Sequence, residues 1–540
     1  MTTAKPEVFT RKASGLVRVM SPFSAFIYNV LTMGLIFPWT YLWAPGALPG
    51  GKLVWGILLA MVIEIPIAFV YVWLSTALPR SGGDYVFQSR VFGGGVAFTV
   101  VMSGYVIWIL QWVALSGWLL SYLGFAPLFL GLGATTGSAS MASLGLWFTS
   151  STGIIVTSIL NAFIAMLILI SGFKNYVRFQ TVMIIFTLLA FLAMLIVLFL
   201  GNQASSMVKL DQFALALTGV KDFVQTAINA TKAAGVDLKP PFSLIATLLV
   251  APIAWTSLQW ATYSAQQNGE IKNARSFKSQ AFIIVGSLIF TGILLALLAA
   301  ALEKAVGTEF LYVAGAGYWS GVGEATISGF WLWPNIIAVA LSASPFVILL
   351  ICLGYILNSH QIVHNCYIGM TRVMVAMSLD RVLPEWISRV DERLHTPVNA
   401  HIVYFIASIP IILLYNLNSN WVGLTLGVTF ACGYVFVVTC LAGALLPYRA
   451  KDVYDASPGA KYKIGNVPLV TILGGIGFVL GGVMVLMFMF YSQLGLTSAL
   501  AYGIVFGVLA FSAIWYLIAK QTQKSRGINV DFAFKEIPPE

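Results

Sequence analysis

Twelve runs of mostly apolar residues, many about 20 long, follow one another along this 540-residue chain. A helix of about 20 residues at about 1.5 Å per residue crosses the hydrocarbon of a bilayer. In lipid, backbone N–H and C=O groups must be satisfied within the protein, so spanning segments are helices or closed barrels. Barrel strands read as alternating segments of about ten residues, and these runs are longer and continuous. The predicted fold is therefore an all-α integral membrane protein with twelve transmembrane helices. The spans fall near 21–43, 53–78, 94–124, 152–172, 177–201, 242–264, 281–302, 333–366, 400–416, 421–446, 468–492 and 498–519. The eighth is long enough to continue beyond the bilayer. Only 9% of residues are charged, against about 25% in soluble domains.

Lysine and arginine then set the orientation. Six of the 29, Lys52, Lys209, Lys221, Lys232, Lys239 and Lys304, fall in odd-to-even connections, and the other 23 lie at the termini or in even-to-odd connections. By the positive-inside rule both termini face the cytoplasm. The expected organisation is a cytoplasmic segment 1–20, one transmembrane domain 21–519 and a polar, frayed tail 520–540, in the plasma membrane. The net charge of +10 is thus a topology signal that suits anionic lipid headgroups, and no nucleic-acid partner is expected. Cys352, Cys366, Cys432 and Cys440 sit in or beside apolar runs and read as small buried hydrophobes. The first span reads as a retained helix rather than a signal peptide. Asn229-Ala230-Thr231 is a glycosylation sequon in the outer connection 202–241.

Two spans look broken. The first contains Ser21-Pro22 at its start and Asn29-Val30-Leu31-Thr32-Met33-Gly34 midway, with Pro38 beyond. The sixth contains Ala251-Pro252 followed by Trp255-Thr256-Ser257-Leu258-Gln259. Unwinding a membrane helix frees backbone groups that lipid leaves unsatisfied. Discontinuous helices at matching positions of two internal repeats form the substrate site of many transporters. A carboxylate is suited to the freed N–H groups at a half-helix N-terminus, and an ammonium to the freed carbonyls.

Three polar stretches between spans carry a family resemblance. Leu78-Pro79-Arg80-Ser81-Gly82-Gly83-Asp84-Tyr85, with Arg90 and Phe92-Gly93, follows span two. Glu270-Ile271-Lys272-Asn273 follows span six. Arg372 to Pro384, reading Arg-Val-Met-Val-Ala-Met-Ser-Leu-Asp-Arg-Val-Leu-Pro, follows span eight. Together they resemble the amino acid–polyamine–organocation superfamily of transporters. The resemblance implies two inverted five-helix repeats, about 21–201 and 242–446, with helices one and six discontinuous, plus two C-terminal helices, about 468–519. It also implies a midplane site between helices one, three, six, eight and ten, and alternating access. The chain departs from the family pattern at four places. Helix one has a single glycine, Gly34; Trp73 occupies a slot usually held by glutamate; Thr187 stands where some relatives carry a lysine; and Ala274 replaces a proline.

On this reading the substrate carboxylate is held by Thr32, Met33 and Gly34. Asn29, Trp255, Thr256, Ser257 and Gln259 complete the pocket, and Tyr105 and Trp108 cover it. Glu64, an acid deep within span two, is the candidate for ion coupling because an intramembrane carboxylate is costly and usually functional. Thr187, with Ser342 and Ser344, is a candidate sodium ligand. His360 and His364 with Cys366 lack the further ligands a metal requires, so no metal and no cofactor is expected, and a proton or sodium gradient is the driving force. No nucleophile–base pair marks an enzyme. The expected activity is amino-acid transport, by proton-coupled import or by exchange. A polyamine or organic-cation exchanger and a non-transporting nutrient sensor are the alternatives. The sequence carries no signal for oligomeric state.

Overall fold

The computed structural model describes residues 14–36, 39–418, 421, 425–495 and 498–535, with backbone alone for 425–431. Pro38 and most of the N-terminal segment lie outside the described residues. Among those described, eleven helical stretches are long and apolar enough to cross a membrane, corresponding to predicted spans two to twelve. The predicted first span is instead two short helices, Pro22–Met33 and Trp39–Ala47. Ser21 caps the first of them, its hydroxyl accepting from the Ser24 amide at 3.0 Å, and Pro22 takes the first-turn position that lacks a needed N–H. Gly34, at φ +75°, stops it, in a backbone region that glycine enters without the Cβ penalty.

Span six changes geometry rather than unwinding outright. It is α-helical from Leu244 to Leu258, through Pro252, and then 3₁₀-helical from Gln259 to Glu270. The stretch is not continuous: Gln267, at φ −111° and ψ 30°, leaves the helical region and kinks it, and a change to 3₁₀ geometry within a span often marks a strained or functional segment. Span three is longer than predicted, running to Thr136, and it holds two π-helical turns at Met102–Ile107 and Leu120–Phe125. Span seven extends to Trp319 through a kink at Gly307, φ +79°.

Two expectations are corrected. Span eight is not one helix over 333–366. A short helix, Pro334–Leu341, is separated by Ser342–Ser344 from the long helix Pro345–Leu379, because the residue before a proline is pushed out of the helical region. The outer connection 202–241 holds helices Gln203–Thr218 and Phe223–Ala233. The tail beyond 520 is not frayed as far as it is described. The last spanning helix runs on to Ser525, and Val530–Lys535 folds back with Ala533 and Phe534 buried.

Candidate functional site

The three polar motifs, far apart in sequence, form one assembly at the Lys/Arg-rich end of the bundle. The short helix Gly83–Phe92 carries Asp84 in its first turn and Arg90 in its last, each favourably placed in the helix dipole. Asp84 accepts from Gln266 Nε2 (2.5 Å), from Thr439 Oγ1 (2.5 Å) and from the Tyr71 hydroxyl, and so ties spans two, six and ten together. Burial pushes the Asp84 pKa up, and these donors pull against the rise. Arg90 Nη1 lies 3.1 Å from Asp380 Oδ2, which also accepts from the Tyr85 hydroxyl at 3.0 Å. Arg372 donates to both Glu270 oxygens, at 2.7 and 2.8 Å, with both side chains fully buried. Its guanidinium also donates to His401 Nε2 at 3.2 Å and stacks on the Phe173 ring. The backbone joins in: Met20 N donates to Glu270 O and Lys272 N to Met20 O.

Glycine is required at this assembly. Gly82 stands at φ +105°, and a Cβ there would run into the Ala376 side chain. Its amide donates to Gln266 O at 2.7 Å. Left-handed backbone strain and a core overlap together cost roughly 2–4 kcal/mol. Gly82→Ala is therefore expected to lower the thermal unfolding midpoint clearly. An unchanged midpoint would show that the hinge relaxes freely.

Deeper in the bundle, spans one, three, six and eight surround a small cavity of about 20 Å³ lined by Thr32, Ile109, Trp112, Trp260, Tyr263, Ile362, Asn365 and Cys366. That is room for about one water, so the four spans are closed on each other here. In the 3₁₀ segment three residues make a turn, which puts Trp260 and Tyr263 on one face; their rings meet edge-on at 5.3 Å. Asn365 Nδ2 donates to Thr32 Oγ1 at 2.6 Å, and Thr32 Oγ1 donates to Tyr28 O at 2.6 Å. Asn365 is itself held: its Oδ1 accepts from Gln361 Nε2 (2.6 Å) and lies 3.1 Å from the Tyr176 hydroxyl, which donates to Gln180 Oε1 at 2.8 Å. Gln180 Nε2 donates to Ser24 O at 2.8 Å. A ladder of neutral polar side chains thus connects spans one, five and eight.

Of the residues expected from sequence, Thr32 lines this cavity. Met33 and Gly34 are at the break beside it, with Ser257 Oγ donating to Met33 O. Asn29 is buried and fastens span one to the 3₁₀ segment: its amide bonds the Ser264 hydroxyl (3.0 Å), Ile283 O (3.1 Å) and the Ser264 amide (2.9 Å). Thr256 Oγ1 bonds back to Ile253 O and Gln259 Nε2 to Thr256 O. Tyr105 and Trp108 sit outside the cavity lining; Tyr105 packs against Trp260 and Phe436. The π-turn at Met102–Ile107 accounts for this, because its extra residue rotates the helix face and brings Ile109 and Trp112 inward.

Trp255 and Glu64 meet: the indole Nε1 donates to Glu64 Oε2 at 2.5 Å, while Oε1 has no hydrogen-bond partner among the described residues. Thr187 is buried, and its hydroxyl has none among them either. Ser342 and Ser344 do not join it. Ser344 stands just before the Pro345 helix, about 15 Å along it from Gly354, which packs on Phe186 and Ala190 beside Thr187. His360 Nδ1 faces Asn161 Oδ1 at 2.6 Å and His364 Nδ1 faces His360 O at 2.9 Å. Among the described residues no three His, Cys, Asp or Glu side chains converge as a metal would need.

A helix broken at Gly34 meets a span that turns from α to 3₁₀ beside a closed cavity, inside a bundle of apolar spans, the layout of a multi-pass membrane protein. The sequence matches the family described as amino acid permease over residues 21–511, and the chain belongs to that family, whose members are membrane transporters of small molecules. It is also 31% identical over 102 residues to an uncharacterized protein, 399, of Sulfolobus islandicus rod-shaped virus 1; the match covers 17% of this chain and 26% of that relative.

Proposed function

We propose that this chain is a plasma-membrane secondary transporter for α-amino acids with apolar side chains, working by alternating access at the cavity between spans one, three, six and eight. The carrying observation is the cavity lining. It combines the end of a broken helix, Thr32 next to Met33 and Gly34, with a wall of Ile109, Trp112, Trp260, Tyr263, Ile362 and Cys366 and one amide, Asn365. The polar corner suits a zwitterionic head and the apolar wall a hydrocarbon side chain. No Asp or Glu is among the lining residues, which disfavours polyamines, whose two ammonium ends need anions. Alternating access requires the four spans to part, since about 20 Å³ holds no amino acid. The test is uptake into proteoliposomes from a panel of amino acids and amines under imposed proton or sodium gradients. Uptake or exchange of apolar amino acids is expected, and a panel with no transported member would overturn the reading.

Glu64 is proposed as the proton-coupling group. It is the acid buried in the spans that contacts the moving sixth span, through Trp255, and one of its oxygens is available to a proton. Glu64→Gln keeps the size and an acceptor for the indole. It is expected to abolish proton-driven accumulation while leaving exchange of substrate for substrate within a factor of about three. Unchanged proton-driven accumulation would make Glu64 a structural partner of Trp255.

A further inference from the structure

The last described segment of the chain closes over the ion pair that joins two of the polar motifs. After the spanning helix ends at Ser525, Gly527 at φ +78° reverses the chain, and Ile528 N caps the helix by donating to Gln523 O. Val530–Lys535 then lies against the short helix Gly83–Phe92 and the start of span three. Val530, Ala533 and Phe534 are buried there. Phe534 occupies the space a Cβ on Gly94 would need. Lys520 Nζ holds the turn from outside, 2.8 Å from both Asp531 oxygens. Arg90 Nη2 reaches Ala533 O at 3.4 Å while Arg90 Nη1 binds Asp380.

We infer that residues 530–535 are a built-in strap that restrains opening of the Lys/Arg-rich end. The physical argument concerns water. An arginine–aspartate pair exposed to solvent contributes little, whereas the same pair kept dry resists separation. Arg90 and Asp380 are 3% and 1% exposed, and the Ala533–Phe534 segment packs directly against Arg90. Asp380 follows span eight and Arg90 belongs to the hinge after span two, so parting these elements means parting that pair. With the strap docked, the pair separates in a dry setting and loses its third anchor as well. With the strap lifted, water enters and the separation is easier. The strap is short, six residues held by the burial of Val530, Ala533 and Phe534, by the Ala533 carbonyl and by an exposed ion pair, which suits a contact that is released.

This inference rests on the alternating-access reading, and Cys366 provides a readout independent of transport. Cys366 lines the central cavity and is 5% exposed, so a membrane-impermeant thiol reagent reaches it when an end opens. The experiment adds such a reagent to the Lys/Arg-rich side of sealed vesicles, without substrate, and follows Cys366 modification by mass spectrometry. The full chain is compared with a chain ending at Gly527, with Phe534→Ala and with Gly94→Ala. The last displaces the strap from the opposite side and leaves the tail sequence intact. Each variant is expected to label about five-fold faster or more, the size of a small coupling free energy. Labelling within two-fold of the full chain in Phe534→Ala and Gly94→Ala, with unchanged thermal melts, would overturn the strap alone. A Cys366 that is never labelled from either side in the full chain would overturn alternating access at this cavity, and the strap with it.

Discussion

Replacing Arg372 by Met is expected to cost about 3–5 kcal/mol of stability, because it removes one partner of a buried ion pair with Glu270. Both Glu270 oxygens accept charge-assisted bonds from this guanidinium, at 2.7 and 2.8 Å, and both side chains are wholly removed from solvent. The same guanidinium supplies the donor to His401 Nε2 and the cation stacked on Phe173. Lysine is a poor substitute, since it lacks the planar fork that meets a carboxylate with two bonds. The expected result is loss of folded yield in detergent and a strongly lowered unfolding midpoint. The double change Arg372→Met with Glu270→Leu is expected to recover more than half of the loss, because apolar pairs often replace buried ion pairs at little cost. A double variant no better than Arg372→Met would show that the pair is valued for something other than mutual neutralisation.

The second large effect is expected at Asn365. Its amide donates to Thr32 at the broken helix, and its oxygen receives Gln361. Asn365→Ala removes both bonds and the one from the Tyr176 hydroxyl, and takes one partner each from Thr32, Gln361 and Tyr176 in a closed, largely apolar space. Each lost bond is worth about 1 kcal/mol, or about five-fold, so with three lost uptake kcat/KM is expected to fall about 100-fold, chiefly through KM. Asn365→Asp keeps the oxygen that accepts from Gln361 and loses the donor to Thr32, so it is expected to lie between. If Asn365→Ala leaves KM unchanged in a folded protein, the amide plays no part in holding the substrate.

How far the sequence reveals this site depends on whether the information is local. The break at Gly34 is local, since one glycine beside Thr32 and a capping serine before Pro22 mark where the helix begins and stops. The three polar motifs are likewise visible, and their charges, Arg90, Glu270, Arg372 and Asp380, pair with one another across up to 290 residues. What was not legible is helical phase. A π-turn or a 3₁₀ run changes which face looks inward, and nothing in Met102–Ile107 or Gln259–Glu270 announces the change. Hence Ile109, Trp112, Trp260 and Tyr263 line the cavity where Tyr105, Trp108, Thr256 and Gln259 were expected. Asn365 was hidden for another reason: an asparagine within a long polar-ended helix has no spacing pattern to single it out. The bond between Glu64 and Trp255 joins residues 191 apart, and only the packing of span two on span six reveals it. Two signals were present for the remaining differences. Ser-Ala-Ser before Pro345 marks the division of span eight, and Val530, Phe532 and Phe534 give the tail an apolar character that a frayed end does not need.

The most direct test of the central claim, that the cavity where the broken first helix meets the sixth span takes the substrate, is protection of Cys366 from alkylation in the reconstituted protein. A transported apolar amino acid is expected to slow the reaction of Cys366 saturably, with half-maximal protection at the concentration that half-saturates uptake. Uptake that saturates while Cys366 reacts at an unchanged rate would contradict the account and place the substrate elsewhere.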